Sequence, residues 1–336
     1  MKNNDFASAK STSFEQIPVV DISEIHTKDG FEKTAIELVH IARSIGFFYI
    51  KGHGISPELI SQAFNASKRF FELPLDAKSS IEVDVNQRGW MGQGMAQLEG
   101  AKTHDAKEVF FWGWDVDADD QDVISGVPMV FPNQWPDNVA PFLRSDVLPY
   151  YNAVIDLSKS VLSALAYGLG KPKDFFELAY KKPLGRGQLV YYPPMKFNDL
   201  NEQRFGASPH TDFGVLTILL QDMQGGLQVL NKDDEWIEAP PIENSLVCNI
   251  GDLLERWTNG YLVSTKHRVI NRNEGARYSI PIFCDPSSQT IINPSDFSQN
   301  PNKFEKITAG EHILNRNRRN FKQYKNYWLP ESVVKD

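Results

Sequence analysis

Hydrophobic positions are spaced differently in the two halves of this chain. In the first half they recur every three or four residues, the period of a helix with one buried face. That spacing predicts helices from about Phe31 to Ser44, from Pro57 to Phe71 with proline in the first turn, and from Pro141 to Leu169, closed by Gly170. Short strands are expected at Pro18–Ile22 and Phe47–Lys51, and the acidic stretch Asp115–Asp122 reads as a surface loop. From Gln188 onward apolar residues come in short runs, cut by turn residues at Asp222–Gly226, Asp233-Asp234, Asn244 and Asn259-Gly260. Phe213–Leu220 reads as a buried strand, and Arg277–Cys284 as a strand with alternating faces. Many short strands after a helical section predict an α+β fold with a mainly β core: a double-stranded β-helix, or jelly roll, with flanking helices. The expected organisation is a mobile polar tail (1–16), a mixed α/β region (17–136), a helical support (137–185), the jelly-roll core (186–290) and a C-terminal helical extension (291–336).

Composition narrows the function classes. With 43 acidic against 35 basic side chains the net charge is −8, which argues against nucleic acid as a partner. The one basic cluster, Arg316-Asn317-Arg318-Arg319, reads as a solvated helix face. The polar first dozen residues offer no signal peptide, and no run approaches the roughly 20 apolar residues that cross a bilayer. A cytoplasmic protein without membrane contact is therefore expected. Cys248 and Cys284 lie in apolar runs and read as core residues, which suits a reducing compartment. Oligomeric state is left open, and a monomer is compatible with the composition.

His210 and Asp212 stand two residues apart in Ser-Pro-His-Thr-Asp-Phe-Gly, and His267 follows 57 positions later. Side chains at i and i+2 of a strand share a face, so His210 and Asp212 can converge on one ion. His267 is expected from a distant strand that packs opposite. Two imidazoles and one carboxylate form the ligand set of non-haem Fe(II) oxygenases, which leaves the other face of the octahedron open. A His-x-Asp triplet alone arises often by chance, but the apolar strand behind it and the distal histidine favour a metal site. Other residues take blander readings. His53 in Gly-His-Gly is read as a turn residue, and His26, His40, His104 and His312 as exposed or capping residues. Asp252 is explained by a turn and Trp257 by the core. Gly225-Gly226 cradles no phosphate, because no helix follows it.

The ordered series of motifs resembles the isopenicillin N synthase-like family of 2-oxoglutarate/Fe(II)-dependent dioxygenases. The resemblance rests on Ile17-Pro18-Val19-Val20-Asp21-Ile22, Gly46-Phe47-Phe48-Tyr49-Ile50, Gly52-His53-Gly54-Ile55, Lys107-Glu108-Val109-Phe110, Tyr191-Tyr192-Pro193-Pro194, the His-Thr-Asp segment, Gly225-Gly226-Leu227-Gln228-Val229, Asn249-Ile250-Gly251-Asp252 and Arg277-Tyr278-Ser279. It spans most of the chain. It implies an oxidoreductase that takes up Fe(II), O₂ and 2-oxoglutarate, with ascorbate as an accessory reductant, and oxidises a soluble small molecule of the kind met in secondary metabolism. Decarboxylation of 2-oxoglutarate to succinate and CO₂ drives hydroxylation, desaturation or ring closure. The family's Arg-x-Ser pair maps to Arg277 and Ser279, whose planar guanidinium fork suits the far carboxylate of 2-oxoglutarate. The family's second tyrosine maps to Tyr192. Plant members carry Asn where Val190 stands, which removes one minor co-substrate contact.

Strand alternation carries the reading to the substrate. If Arg277 and Ser279 face inward, so do Pro281 and Phe283, while Tyr278, Ile280 and Ile282 pack against outer helices. Phe283 would line the mouth, with plain core packing as an equal alternative. Arg88, in the glycine-rich stretch Asn86–Gly94, is placed by resemblance where a substrate carboxylate could be held; capping its own loop is the competing reading. Two other functions stay open: an Fe(II) oxidase of the isopenicillin N synthase or aminocyclopropane-carboxylate oxidase type, which spares 2-oxoglutarate, and a non-catalytic metal-binding β-barrel module.

Overall fold

The computed structural model describes residues 9–10, 17–95, 103–194, 204–271 and 275–320. Most of the expected lead-in and the end of the expected C-terminal extension (321–336) lie outside the described residues. Lys10 is held rather than loose, since its backbone N–H donates to the Trp236 carbonyl at 2.9 Å.

Helices α1 (Lys28–Ser44), α2 (Pro57–Phe71), α3 (Leu75–Ser79), α4 (Gln121–Ile124) and α5 (Phe142–Gly168) lie in the first half of the chain, and α6 (Asp252–Trp257) and α7 (Ala309–Asn320) in the second. Capping sets the starts. The Thr27 hydroxyl accepts from Gly30 N at 3.1 Å, so α1 begins three residues before its first apolar position. Ser56 caps α2 in the same way, ahead of Pro57. Asp120 caps a single helical turn, α4, which begins at the end of the acidic stretch expected as loop and runs past it. The long α5 contains Pro149 and ends before Gly170, whose φ of 77° suits glycine. It crosses α1 closely at Gly168, where a Cβ would stand 2.5 Å from the Ala35 carbonyl oxygen.

Two sheets form the core. The larger has the order β1 (Val19–Asp21), β2 (Phe47–Lys51), β10 (Leu246–Ile250), β7 (Leu216–Gln221), β12 (Arg277–Cys284), β5 (Arg186–Tyr192), β4 (Glu108–Trp112), β3 (Gly89–Met91). The smaller has the order β6 (Ala207–His210), β11 (His267–Val269), β8 (Leu227–Leu230), β9 (Trp236–Glu238). A short pair, β13 (Ile291–Ile292) and β14 (Ile307–Thr308), leads into α7. Between the two sheets lies a core of inward residues that includes Phe47, Val109, Phe111, Val190, Leu227, Val247 and Val269. On the outer face of the large sheet, Ile218, Ile280 and Ile282 join α1, α2 and α5 in a second, larger core. Cys248 and Cys284 are free thiols buried in that outer core. The β12–β5 ladder has one continuous register, with Arg277 opposite Tyr192, Ser279 opposite Val190 and Phe283 opposite Arg186. Among the described residues no helix is long and apolar enough to cross a membrane.

Candidate metal centre and co-substrate pocket

A cavity between the sheets is lined by His210, Asp212, His267, Tyr192, Arg277, Ser279 and Phe283, together with Lys107, Gln188, Thr217 and Asn249. Seven of the eight residues expected from sequence thus share one space. His210 and His267 are direct antiparallel partners on β6 and β11, with ring centroids 4.3 Å apart. The distal histidine therefore comes from the neighbouring strand of the same sheet rather than from a strand packed opposite. Cross-strand partners project to one side, so pairing alone brings the imidazoles together.

Asp212 also departs from the simple strand picture. β6 stops at His210, and Asp212 lies on the loop into β7. Backbone bonds outside any ladder set its direction: Asp252 N donates to Asp212 O at 2.8 Å, Leu253 N to Gly214 O at 2.9 Å, and Gly251 N to Val215 O at 3.0 Å. Val215 N donates to the buried Asp285 carboxylate, which also pairs with Arg186. Asp252 is thus more than a turn residue.

The donor atoms are arranged for a cation. His210 Nε2 and His267 Nε2 lie 3.8 and 3.7 Å from Asp212 Oδ1, and one ligand atom from each residue falls within 4.8 Å of the others. Each imidazole has its Nδ1 against a backbone carbonyl, Ser208 O at 2.7 Å and Thr265 O at 3.2 Å. That fixes Nδ1 as the protonated nitrogen and leaves the Nε2 lone pair directed inward. Asp212 Oδ2 accepts from Thr217 Oγ1 at 2.6 Å and Asn249 Nδ2 at 2.8 Å, leaving Oδ1 for an ion. Burial, with His267 and Lys107 adding to it, pushes the His210 imidazole down to about 4, so it is neutral and ligand-ready at neutral pH. Burial acts to raise the Asp212 carboxyl, but the two imidazoles and its two hydrogen-bond donors outweigh it and hold it below its usual range. Nitrogen and oxygen donors on one face, with the opposite side open to the cavity, fit Fe(II).

Arg277 is fully buried. Its Nε donates to Gly225 O at 2.7 Å, Nη1 to Ser279 Oγ at 3.3 Å and Nη2 to Gln221 Oε1 at 3.1 Å. All three partners are neutral, and among the described residues no carboxylate pairs with it. A desolvated guanidinium without a counter-ion is costly, so the cavity is shaped for an acid. The Tyr192 ring lies 4.8 Å beneath the guanidinium carbon, and Ser279 shares its face.

Phe283 sits at the other end of the same ladder, opposite Thr217, with the Arg186 guanidinium 4.8 Å from its ring. Arg88 is not brought to this cavity. It is buried and donates to the carbonyls of Asn86, Gln87 and Met129, which ties its own loop to the Met129 segment. The structure also corrects Arg316, expected as solvated, which turns inward to Asp252. His53 is the turn residue expected, its Nδ1 accepting from Ile55 N. Sequence reading passed over Lys107, which reaches the cavity and pairs with Asp105 at 3.0 Å. The signal was available: Lys107, just before β4, shares one parity with Val109 and Phe111 within it.

Comparisons with known proteins show the family to which the chain belongs. Residues 187–286 match the 2OG-Fe(II) oxygenase superfamily, and residues 17–138 match the N-terminal region of the non-haem dioxygenase in morphine synthesis. The chain is 36% identical to a 2-oxoglutarate-dependent dioxygenase of Monascus ruber, across 92% of this chain and 96% of that protein. Among solved structures it resembles an oxygenase-family protein of Caulobacter crescentus, with a TM-score of 0.78 and 32% identity over 90% of this chain and 98% of that one. It also resembles a full-length Neurospora crassa protein crystallised in complex with alpha-KG, with a TM-score of 0.77 and 30% identity over 89% and 95% of the two chains.

Proposed function

The chain belongs to the 2OG-Fe(II) oxygenase superfamily, an enzyme family that uses Fe(II) and 2-oxoglutarate, and from that premise we propose how its own residues divide the work. His210 Nε2, Asp212 Oδ1 and His267 Nε2 hold the iron. Arg277 receives the far carboxylate of 2-oxoglutarate, with the hydroxyls of Ser279 and Tyr192 beside it. Phe283 packs against the body of a small-molecule substrate. The observation that carries this reading is the orientation of the donors: both Nδ1 atoms are turned to carbonyls, and Asp212 Oδ2 is already occupied.

Bound iron supplies the oxidising chemistry, in which 2-oxoglutarate and O₂ become succinate and CO₂ while a substrate C–H bond is oxidised. The protein supplies placement. Thr217 and Asn249 fix the Asp212 carboxylate, and the β12–β5 ladder sets how far the acid-binding end at Arg277 lies from Phe283. The apolar walls, Val190, Leu219, Leu227 and Val269 among them, exclude water from the space between.

Purified protein given Fe(II), 2-oxoglutarate and O₂ is expected to form succinate, and a panel of candidate substrates should stimulate that rate. His267→Ala should lose both metal and succinate formation while keeping its fold by circular dichroism. Substrate oxidation without succinate would favour the oxidase that spares 2-oxoglutarate. Full iron occupancy in His267→Ala would remove the metal assignment.

A further inference from the structure

Asp212 must stay beside His210 although the loop between them lies outside every strand ladder. A loop of this kind keeps a fixed shape only through the bonds it makes with the rest of the chain, and here side chains add to the backbone bonds already described. One cluster does so at Thr211, the residue between the two proposed ligands. Arg316, on α7, places Nη2 3.0 Å from Asp252 Oδ2 and 3.2 Å from Thr211 Oγ1. The Thr211 hydroxyl in turn donates to Asp252 Oδ2 at 3.2 Å. Asp252 Oδ1 accepts from Ser264 Oγ at 2.8 Å, and its backbone N–H is the one bound to the Asp212 carbonyl. The Arg316 guanidinium also lies 4.6 Å from the Phe213 ring. His312, one turn earlier on α7, faces the Phe213 carbonyl. Residues 211, 212 and 213 are thus each tied to α7 or to Asp252.

We propose that α7 acts as a clamp on the iron-binding loop, with Arg316 and Asp252 as positioning residues for the metal site. The proposal rests on the reading of His210 and Asp212 as ligands. Neither Arg316 nor Asp252 touches the ion position; each acts through Thr211 and the Asp212 backbone. Outer partners of metal ligands commonly contribute 10- to 100-fold in affinity. The clamp ties metal binding to a helix about 100 residues further along the chain.

The test uses the full chain with Co(II) in place of Fe(II), read by its visible ligand-field absorption rather than by turnover. Arg316→Ala should weaken Co(II) binding by about 10-fold or more and alter the band shape. Arg316→Lys, which keeps the charge towards Asp252, should restore part of the affinity. Thr211→Val removes the hydroxyl at nearly constant shape and should weaken binding in the same direction, so the idea remains testable if Arg316→Ala folds poorly. His210→Ala is the control for the underlying reading. Wild-type Co(II) affinity and spectrum in Arg316→Ala and Thr211→Val, with binding lost in His210→Ala, would overturn the clamp alone. Wild-type binding in His210→Ala would overturn the ligand assignment itself. A lower melting temperature with unchanged Co(II) affinity would mark a purely structural contact and also end the proposal.

Discussion

At the scale of single residues, Arg277 is a buried charge that no carboxylate pairs with among the described residues. It is a fully buried cation whose three hydrogen-bond partners are all neutral. Truncating one member of a desolvated charge pair costs about 2–5 kcal/mol. Arg277→Ala should therefore raise the 2-oxoglutarate concentration needed for half-maximal succinate formation by well over about tenfold, with little change in Co(II) affinity. Arg277→Lys should fall between, because an ammonium keeps the charge but loses the planar fork. An unchanged 2-oxoglutarate requirement in Arg277→Ala would show that the acid binds elsewhere. That His210, Asp212 and His267 would meet was legible from their types and spacing, although Asp212 reaches the others from a loop and His267 from the neighbouring strand. The inward face of Lys107 was equally available, whereas Arg88 shows the limit. A basic residue in a glycine-rich stretch points wherever its loop turns it, and here three carbonyls claim it.

At the scale of elements, agreement between sequence and structure depends on where each element finds its hydrogen bonds. α2 and β12 match their expected limits to the residue, since a helix and a ladder strand announce their own period. The loop from Thr211 to Val215 was not legible, because its bonds go to Asp252, Asp285 and Arg316, which lie 41, 70 and 105 positions away. Gly214 is the tightest point of that loop. A Cβ there would stand 1.7 Å from Asp285 Oδ1, the atom that holds Val215 N, and Asp285 cannot retreat because Arg186 binds its other oxygen. Gly214→Ala should destabilise the fold by about 1–3 kcal/mol, the usual result of overpacking. Urea unfolding of the variant should show a lower midpoint, and a midpoint equal to wild type would contradict the packing described.

At the scale of the whole molecule, the docking of α7 predicts a fold that weakens in acid. His312 is half-buried against the Phe213 segment, and among the described residues its Nε2 is buried without a partner. Burial, followed by the charges of Arg256 and Arg316, pushes its imidazole from 6.5 down to about 3. The unfolded chain takes up this proton as pH falls below about 6.5, while the folded chain does not. Stability from this group is therefore fully present above about 6.5 and is lost progressively as pH falls towards about 3. His53, also lowered by burial, adds to the loss with the same sign. Melting temperature should decline below pH 6.5, and His312→Asn should decline less steeply over the same range. Parallel slopes for the two proteins would show that α7 contributes nothing to the acid response.

The Arg277 guanidinium, which no carboxylate pairs with among the described residues, has a consequence for how long each molecule lasts. A ligand that supplies its missing partner binds the folded chain and not the unfolded one, so it shifts folding as well as catalysis. At a free concentration one hundred times its dissociation constant such a ligand adds about 2.7 kcal/mol to stability. The metabolite consumed in each turnover would then also be the molecule's preservative. A cell short of 2-oxoglutarate would not only slow this enzyme; it would also hold less of it folded, and lose that fraction to proteolysis.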